Sequence, residues 1–74
     1  MTFPTDEEQI ELANLCFEIG QLRGRTALEV GSAVLRTNAL RNLGYDGLGH
    51  LTREQCRAAL HIARRWLQQA KESK

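Results

Sequence analysis

The chain has 74 residues and a formal net charge of +1, with 42% hydrophobic and 26% charged residues. A length about half that of an average domain predicts one domain, covering residues 1–74, and the ordinary hydrophobic content argues against disorder. Because no run of consecutive apolar residues exceeds three, we expect neither a membrane span nor a signal peptide. Composition alone thus describes an ordinary small globular domain.

The two cysteines, Cys16 and Cys56, are too few for a disulfide framework or a zinc site. They do not form a CxxC pair, and the two histidines stand apart from both in the sequence. We interpret both as reduced thiols that serve as small apolar residues. This interpretation predicts a cytoplasmic protein without a bound metal.

Three segments carry the pattern Thr-x-x-Glu/Gln, which opens a helix with a capping box. They begin at Thr5, Thr26 and Thr52, and each precedes a stretch of apolar residues at helical spacing. One such match is a weak signal. Three matches, each followed by apolar residues at helical spacing, strongly indicate three helix starts. No alternating run long enough for a strand occurs.

Two glycines predict where the first two helices end. Gly24 and Gly44 each follow a helical stretch at the position where a left-handed residue closes a helix. The sequence therefore predicts an all-α protein, a three-helix bundle. Its predicted helices cover about residues 6–23, 27–43 and 53–72.

The third predicted helix has an apolar side about 160° wide and a basic side opposite it. Its apolar side predicts a position in the core, and its basic side is a candidate for a charged contact with a partner. The basic side consists of Arg53, Arg57, His61, Arg64 and, at its edge, Arg65.

The first predicted helix has an apolar arc about 240° wide, which one neighbouring helix cannot cover. Ile10, Ala13 and Phe17 are among the residues that extend this arc beyond the core-facing positions. We expect them to form an apolar contact with another protein or with a second copy of the chain. A short chain with a thin core also favours a homodimer.

The second predicted helix is poorly patterned, because its apolar residues do not share one side. Gly31 and Ser32 weaken its middle, which indicates either a bend there or a close crossing with another helix. In this arrangement we expect five large apolar side chains near the centre of the bundle: Phe17, Leu15, Ile19, Leu60 and Trp66.

The sequence carries no recognisable enzyme motif. Nucleophile elbows, phosphate-binding loops, dinucleotide-binding glycines, zinc-protease helices and calcium loops are all absent. The carboxylates of the first helix lie on a solvated strip, whereas acid–base catalysis needs a pocket that shifts a pKa. We therefore predict a protein that is not an enzyme and uses no cofactor and no catalytic residue.

Charge is distributed unevenly along the chain. Residues 1–20 carry five acids and no base, whereas residues 21–74 carry ten bases and four acids. We expect the acidic strip of the first helix and the basic side of the third to lie at opposite ends of one dipolar surface, which would steer a charged protein partner. Solvated charges that only keep the protein soluble are the plainer interpretation.

These observations predict a small protein-binding module that modulates or inhibits a partner protein. Eight of the ten bases are arginine, which is typical of a GC-rich bacterial or phage gene. The alternative is a transcriptional regulator that binds nucleic acid through the basic side of the third helix. Against this alternative, the connection before that helix is long for a helix-turn-helix, and the pI of about 7.8 is low for a DNA-binding domain.

Overall fold

The computed structural model describes residues 2–47 and 49–73, and these contain helices and no strand. The described helices are α1 (Asp6–Arg23), α2 (Ala27–Leu35), α3 (Asn38–Asn42) and α4 (Arg53–Glu72). α1 and α4 share the largest interface, while α2 packs mainly on α1 and α3 packs on α4. The radius of gyration, 11.8 Å, is close to the roughly 11 Å expected of a folded chain of this length. The all-α prediction is confirmed.

All three predicted capping boxes are present. In each, the threonine hydroxyl accepts a hydrogen bond from the backbone N–H of the residue three positions later. The side chain of that residue accepts a hydrogen bond from the threonine N–H. These bonds measure 2.9–3.2 Å and join Thr5 with Glu8, Thr26 with Glu29, and Thr52 with Gln55. Each box satisfies two backbone donors that the first helical turn leaves unpaired, so the starts of α1, α2 and α4 are fixed locally.

Gln55 has a second role that the capping pattern does not reveal. Its side-chain nitrogen donates a hydrogen bond to the Leu43 carbonyl at 3.0 Å, and the side chain is buried. The neighbouring backbone N–H of Arg53 donates to the Thr2 carbonyl at 2.8 Å. The first turn of α4 is therefore tethered both to the end of α3 and to the segment before α1.

Both glycine stops predicted from the sequence are confirmed. Gly24 is left-handed, with φ 70°, and its N–H donates to the Gly20 carbonyl. Gly44 has φ 85°, and its N–H donates to the Arg41 carbonyl at 2.9 Å. Tyr45 is the next residue. Its N–H donates a hydrogen bond to the Leu40 carbonyl, and its half-buried ring packs against the core. A residue with a side chain would adopt these positive φ angles only at a cost.

The predicted single helix over residues 27–43 is wrong, because the helix ends at Leu35 and a second one, α3, begins at Asn38. The break does not fall at Gly31–Ser32, which lie inside α2. Thr37 has extended backbone angles, and its hydroxyl and N–H both donate to the Val34 carbonyl, at 2.8 and 3.2 Å. A threonine that binds a carbonyl three residues back competes with helix propagation.

The break also explains why the second predicted helix lacks a clear apolar side. Val30 and Val34 are buried on α2, whereas Leu28, on another side of the same helix, is 80% exposed. After the turn at Thr37, α3 runs in a new direction and buries Leu40 completely. The apolar residues of this region thus belong to two short helices with different buried sides.

The core forms where α1 and α4 meet, with α2 and α3 closing it. Its buried residues are Cys16, Ile19, Val30, Val34, Leu40, Ala59, Ala63 and Leu67. Phe17 is not near the centre as expected, because its side chain points away from α4 and is 55% exposed. Leu60 and Ile19 are buried, and Trp66 and Leu15 pack against the core while half-buried.

The apolar side predicted for the third helix is buried on α4, and its basic side faces solvent. Two small residues of this side, Ala59 and Ala63, are fully buried. Nowhere in residues 2–47 and 49–73 is there a helix with the length and apolar character needed to cross a membrane.

Gly20, inside α1, is required by the turn between α1 and α2. A Cβ atom at this position would lie 2.3 Å from the backbone oxygen of Arg25, far inside van der Waals contact. At Gly31 in α2, by contrast, the nearest atom to a Cβ would be Cys16 Sγ at an ordinary 3.8 Å. The two helical glycines therefore differ in their tolerance of a side chain.

Gly20→Ala should lower the free energy of unfolding by about 1–3 kcal/mol, because the backbone of the turn must move to admit the methyl group. Gly31→Ala is the matched control and should raise stability by up to about 1 kcal/mol, the usual gain when alanine replaces glycine in a helix. Urea denaturation of the three proteins measures both effects. A Gly20→Ala protein as stable as Gly31→Ala would contradict the close approach at Gly20.

The docking of α3 can be tested with two of its neighbouring leucines. Leu40→Ala should lower the free energy of unfolding by about 2–5 kcal/mol, because it removes a fully buried side chain. Leu43→Ala, at a residue that is 37% exposed, should cost about 1 kcal/mol or less. Equal losses in the same denaturation experiment would mean that α3 does not bury Leu40 selectively.

Candidate functional site

The basic side predicted for the third helix lies along the outer surface of α4. Arg53 is half-buried at the start of the helix. The remaining members are exposed: Arg57, His61, Arg64 and Arg65. Their positions agree with the sequence interpretation, but their surroundings do not, since carboxylates of α1 lie beside three of these five residues.

Glu8 of α1 holds two arginines of α4. Its Oε2 accepts a hydrogen bond from Arg57 Nε at 3.3 Å, and its Oε1 lies 3.3 Å from Arg53 Nε. The second contact is an ion pair without a hydrogen bond, because the Arg53 N–H is not aligned with the carboxylate. Since Glu8 also closes the capping box with Thr5, one carboxylate both starts α1 and fastens it to α4.

A second contact of the same kind lies one turn further along α1. The Arg64 guanidinium donates a hydrogen bond to Glu11 Oε2, and both side chains are about half exposed. Exposed pairs of this kind each contribute only about 0–1 kcal/mol. These pairs matter more for the electrostatic potential of the surface than for stability, because they place negative charge directly against the basic side of α4.

The acidic and basic residues therefore do not lie at opposite ends of one dipolar surface, as the sequence suggested. They meet along the border between α1 and α4 and partly neutralise each other. Of the five basic residues, His61 and Arg65 are the two with no acidic partner among the residues that the structure describes.

The surroundings of Glu8 change its ionisation. A hydrogen bond from the Thr5 backbone N–H lowers the pKa of Glu8 below its ordinary value of 4.5. The Arg57 hydrogen bond and the charge of Arg53 lower this pKa further, while desolvation opposes them. The carboxylate is thus held in its ionised form, which suits a structural ion pair and not a proton-transfer group.

The apolar residues predicted for a partner contact form one line on α1. Ile10 and Phe17 are 60% and 55% exposed, and Ala13 between them is also exposed. Their spacing of three and four residues places them on one face of the helix. This face, called the apolar stripe from here on, points away from the face that packs on α4 through Cys16 and Ile19.

An apolar groove of about 860 Å³ runs between α1, α2 and the connection before α4. Its sides include Leu12, Leu35, Tyr45 and Leu51. Both cysteines border it, and burial raises the pKa of the Cys16 and Cys56 thiols above their ordinary value of 9.0. Buried thiols of raised pKa are poor nucleophiles, so this groove is not a candidate for cysteine chemistry.

A second groove was not predicted from the sequence. It has a volume of about 600 Å³ and lies between α2 and the C-terminal half of α4, with the end of α1 at its base. Three arginines and Trp66 border it: Arg23, Arg25 and Arg36 come from three different segments. A sequence pattern confined to one helix cannot reveal a surface that four segments build together.

The described part of the chain holds no group of three or more histidine, cysteine, aspartate or glutamate residues placed to bind a metal ion. His61 is exposed on α4, and His50 borders the apolar groove. No family model matches the chain, and no curated protein or solved structure is significantly similar to it. Its function must therefore be argued from its own surfaces.

The Glu8 ion pairs should make stability depend on pH. Because the pKa of folded Glu8 lies below the ordinary value, its charge stabilises the fold above that value, and this contribution is lost as pH falls through the folded pKa. Between about pH 6 and pH 3, the unfolding free energy of the wild type should fall more steeply than that of Glu8→Gln.

The Glu8→Gln change isolates the charge, because Gln55 already closes a capping box with Thr52. Glu7→Gln, at an exposed neighbour with no ion pair among the described residues, is the control and should keep the wild-type steepness. Urea denaturation at a series of pH values measures the slopes. Parallel curves for wild type and Glu8→Gln would show that Glu8 is not the group responsible.

Proposed function

We propose that this protein is a small non-enzymatic protein-binding module that modulates or inhibits a partner protein. The observation that carries the proposal is the apolar stripe of α1, where Ile10 and Phe17 leave more than half of their side-chain surface to solvent. A small chain has few large apolar residues to spare for its core. Two of them aligned on one outer face are typical of a surface that another protein covers.

The helices that the structure describes leave Ile10 and Phe17 of this stripe exposed. α4 and α2 pack on the faces of α1 that carry Cys16, Ile19 and Leu12. α3 packs on α4 and is only five residues long. We take the three longer helices α1, α2 and α4 as a three-helix bundle, to which α3 adds a short connecting turn.

We propose further that a second copy of the chain covers the stripe. In an antiparallel pairing centred between Ala13 and Asn14, Ile10 of one copy would lie opposite Phe17 of the other. Antiparallel pairing aligns the two helix dipoles favourably, so it is the orientation we propose.

Nucleic-acid binding through α4 has less support. Arg53, Arg57 and Arg64 already lie against carboxylates of α1. A phosphate backbone would have to compete with those carboxylates and would be repelled by them. We therefore propose no second function beside that of a protein-binding module.

Other parts of the proposal rest on composition. We propose a cytoplasmic protein because both cysteines are free thiols packed as apolar residues. The dominance of arginine among the basic residues supports a bacterial or phage gene.

Phe17→Asp should convert a concentration-dependent dimer into a monomer, because it places a charge in the middle of the shared apolar contact. Leu28→Asp is the matched control, since Leu28 is even more exposed, at 80%, but lies on α2 outside the stripe. Sedimentation equilibrium over a range of concentrations measures the association of wild type and both variants. We expect wild type and Leu28→Asp to dimerise alike.

Two outcomes would overturn parts of the proposal. A wild-type protein that stays monomeric at all concentrations would remove the second copy as the partner. Binding of duplex DNA that weakens steeply between about 50 and 200 mM salt would replace the protein partner with a nucleic acid, because released counterions produce that dependence.

A further inference from the structure

The groove between α2 and α4 combines an apolar floor with a basic edge. Its floor includes Ile19 and Val30, which are almost fully buried, and the half-buried Trp66. The exposed side chain of Leu28 forms part of one wall. A concave apolar surface of this kind accepts an apolar side chain of a partner, and tryptophan is a frequent energetic centre of such contacts.

Three arginines border the groove, and we call them the arginine rim: Arg23, Arg25 and Arg36. Arg25 lies 3.7 Å from the carboxylate of Glu29, and both side chains are more than half exposed. Arg23 and Arg36 have no acidic partner among the residues that the structure describes. With Glu29 as the one acid on the border, the groove carries an excess of two positive charges.

The arginine rim differs from the basic side of α4, where carboxylates of α1 lie against the arginines. The ion pairs of Glu8 and Glu11 are made with Arg53, Arg57 and Arg64, and none reaches the arginine rim. Arginine binds carboxylates in a planar, two-pronged geometry. The rim therefore offers open positions for carboxylates beside an apolar floor.

We propose that this groove docks an acidic amphipathic helix of a partner protein. An apolar side chain of the partner helix inserts beside Trp66, and its acidic residues bind the arginine rim. α2, which forms one wall, is nine residues long and therefore spans about 13 Å, enough to lie alongside roughly two turns of a helix. Docking of an amphipathic helix in a groove is an established mode of peptide recognition.

The chemistry favours a protein segment over a nucleic acid. Phosphates could reach the rim, but the sugars and bases that follow them would meet Ile19, Val30 and the carboxylate of Glu29. An acidic helix matches both parts of the groove, with its apolar side on the floor and its carboxylates on the rim.

The groove and the apolar stripe lie on opposite sides of α1. Ile19 and Arg23 border the groove, whereas Ile10 and Phe17 project about 120–180° away around the helix axis. The inference therefore does not depend on the stripe, and the two surfaces can be tested with separate variants.

Trp66 is the one tryptophan of the sequence, so its fluorescence reports directly on the groove. The probes are two synthetic amphipathic peptides of equal length, with leucines at helical spacing on one side and either glutamates or lysines on the other. We expect the glutamate peptide to give a saturable change in fluorescence that weakens with added salt. The lysine peptide should give none, because the rim repels it.

Charge reversal on the rim identifies the residues involved. Arg23→Glu and Arg36→Glu should each weaken binding of the glutamate peptide by about tenfold or more. Lys71→Glu makes the same change of charge at an exposed residue of α4 outside the groove and should leave the affinity within about twofold. Circular dichroism checks that each variant is folded.

Four results would overturn the proposal: no binding of the glutamate peptide, equal binding of the lysine peptide, equal weakening by Lys71→Glu, or duplex DNA that binds tightly and requires the rim. A loss of self-association in Arg36→Glu, measured by sedimentation, would make the occupant a second copy and would also overturn it. Phe17→Asp should leave peptide binding unchanged. Peptide binding by the Phe17→Asp variant therefore distinguishes an error in the groove proposal from an error in the stripe proposal.

Discussion

The packing of α1 on α4 is the interaction on which the rest of the structure depends. The two longest helices lie close enough for Glu8 of α1 to reach Arg57 and Arg53 of α4. α2 and α3 then close the core around this pair. α1 has one face on α4 and a second on α2, and Ile10 and Phe17 on its remaining face are exposed.

Features that depend on a few adjacent residues could be predicted from the sequence. Each capping box is satisfied within four residues, and each left-handed glycine ends its helix by bonds to the preceding turn. The break at Thr37 could not be predicted in this way. A threonine is common in helices, and what decides here is whether a new direction buries Leu40, which depends on where α4 lies.

The candidate surfaces show the same distinction. The width of the apolar arc on α1 indicates that some residues must lie outside the core, and Ile10, Ala13 and Phe17 do so. The arc does not say which part is buried, so Phe17 could be assigned to the centre as well as to a contact. The arginine rim comes from three separate segments, and only the folded chain brings it to one groove.

The near-neutral net charge of +1 hides a separation of charge that the fold creates. Carboxylates of α1 balance Arg53, Arg57 and Arg64 of α4, and a positive excess is left around the groove. If the stripe pairs two copies, each copy turns its groove outward, because the two surfaces lie on opposite sides of α1. Such a dimer would present two grooves at a fixed separation, and a partner with two acidic helices at matching spacing would bind it more tightly than either groove alone.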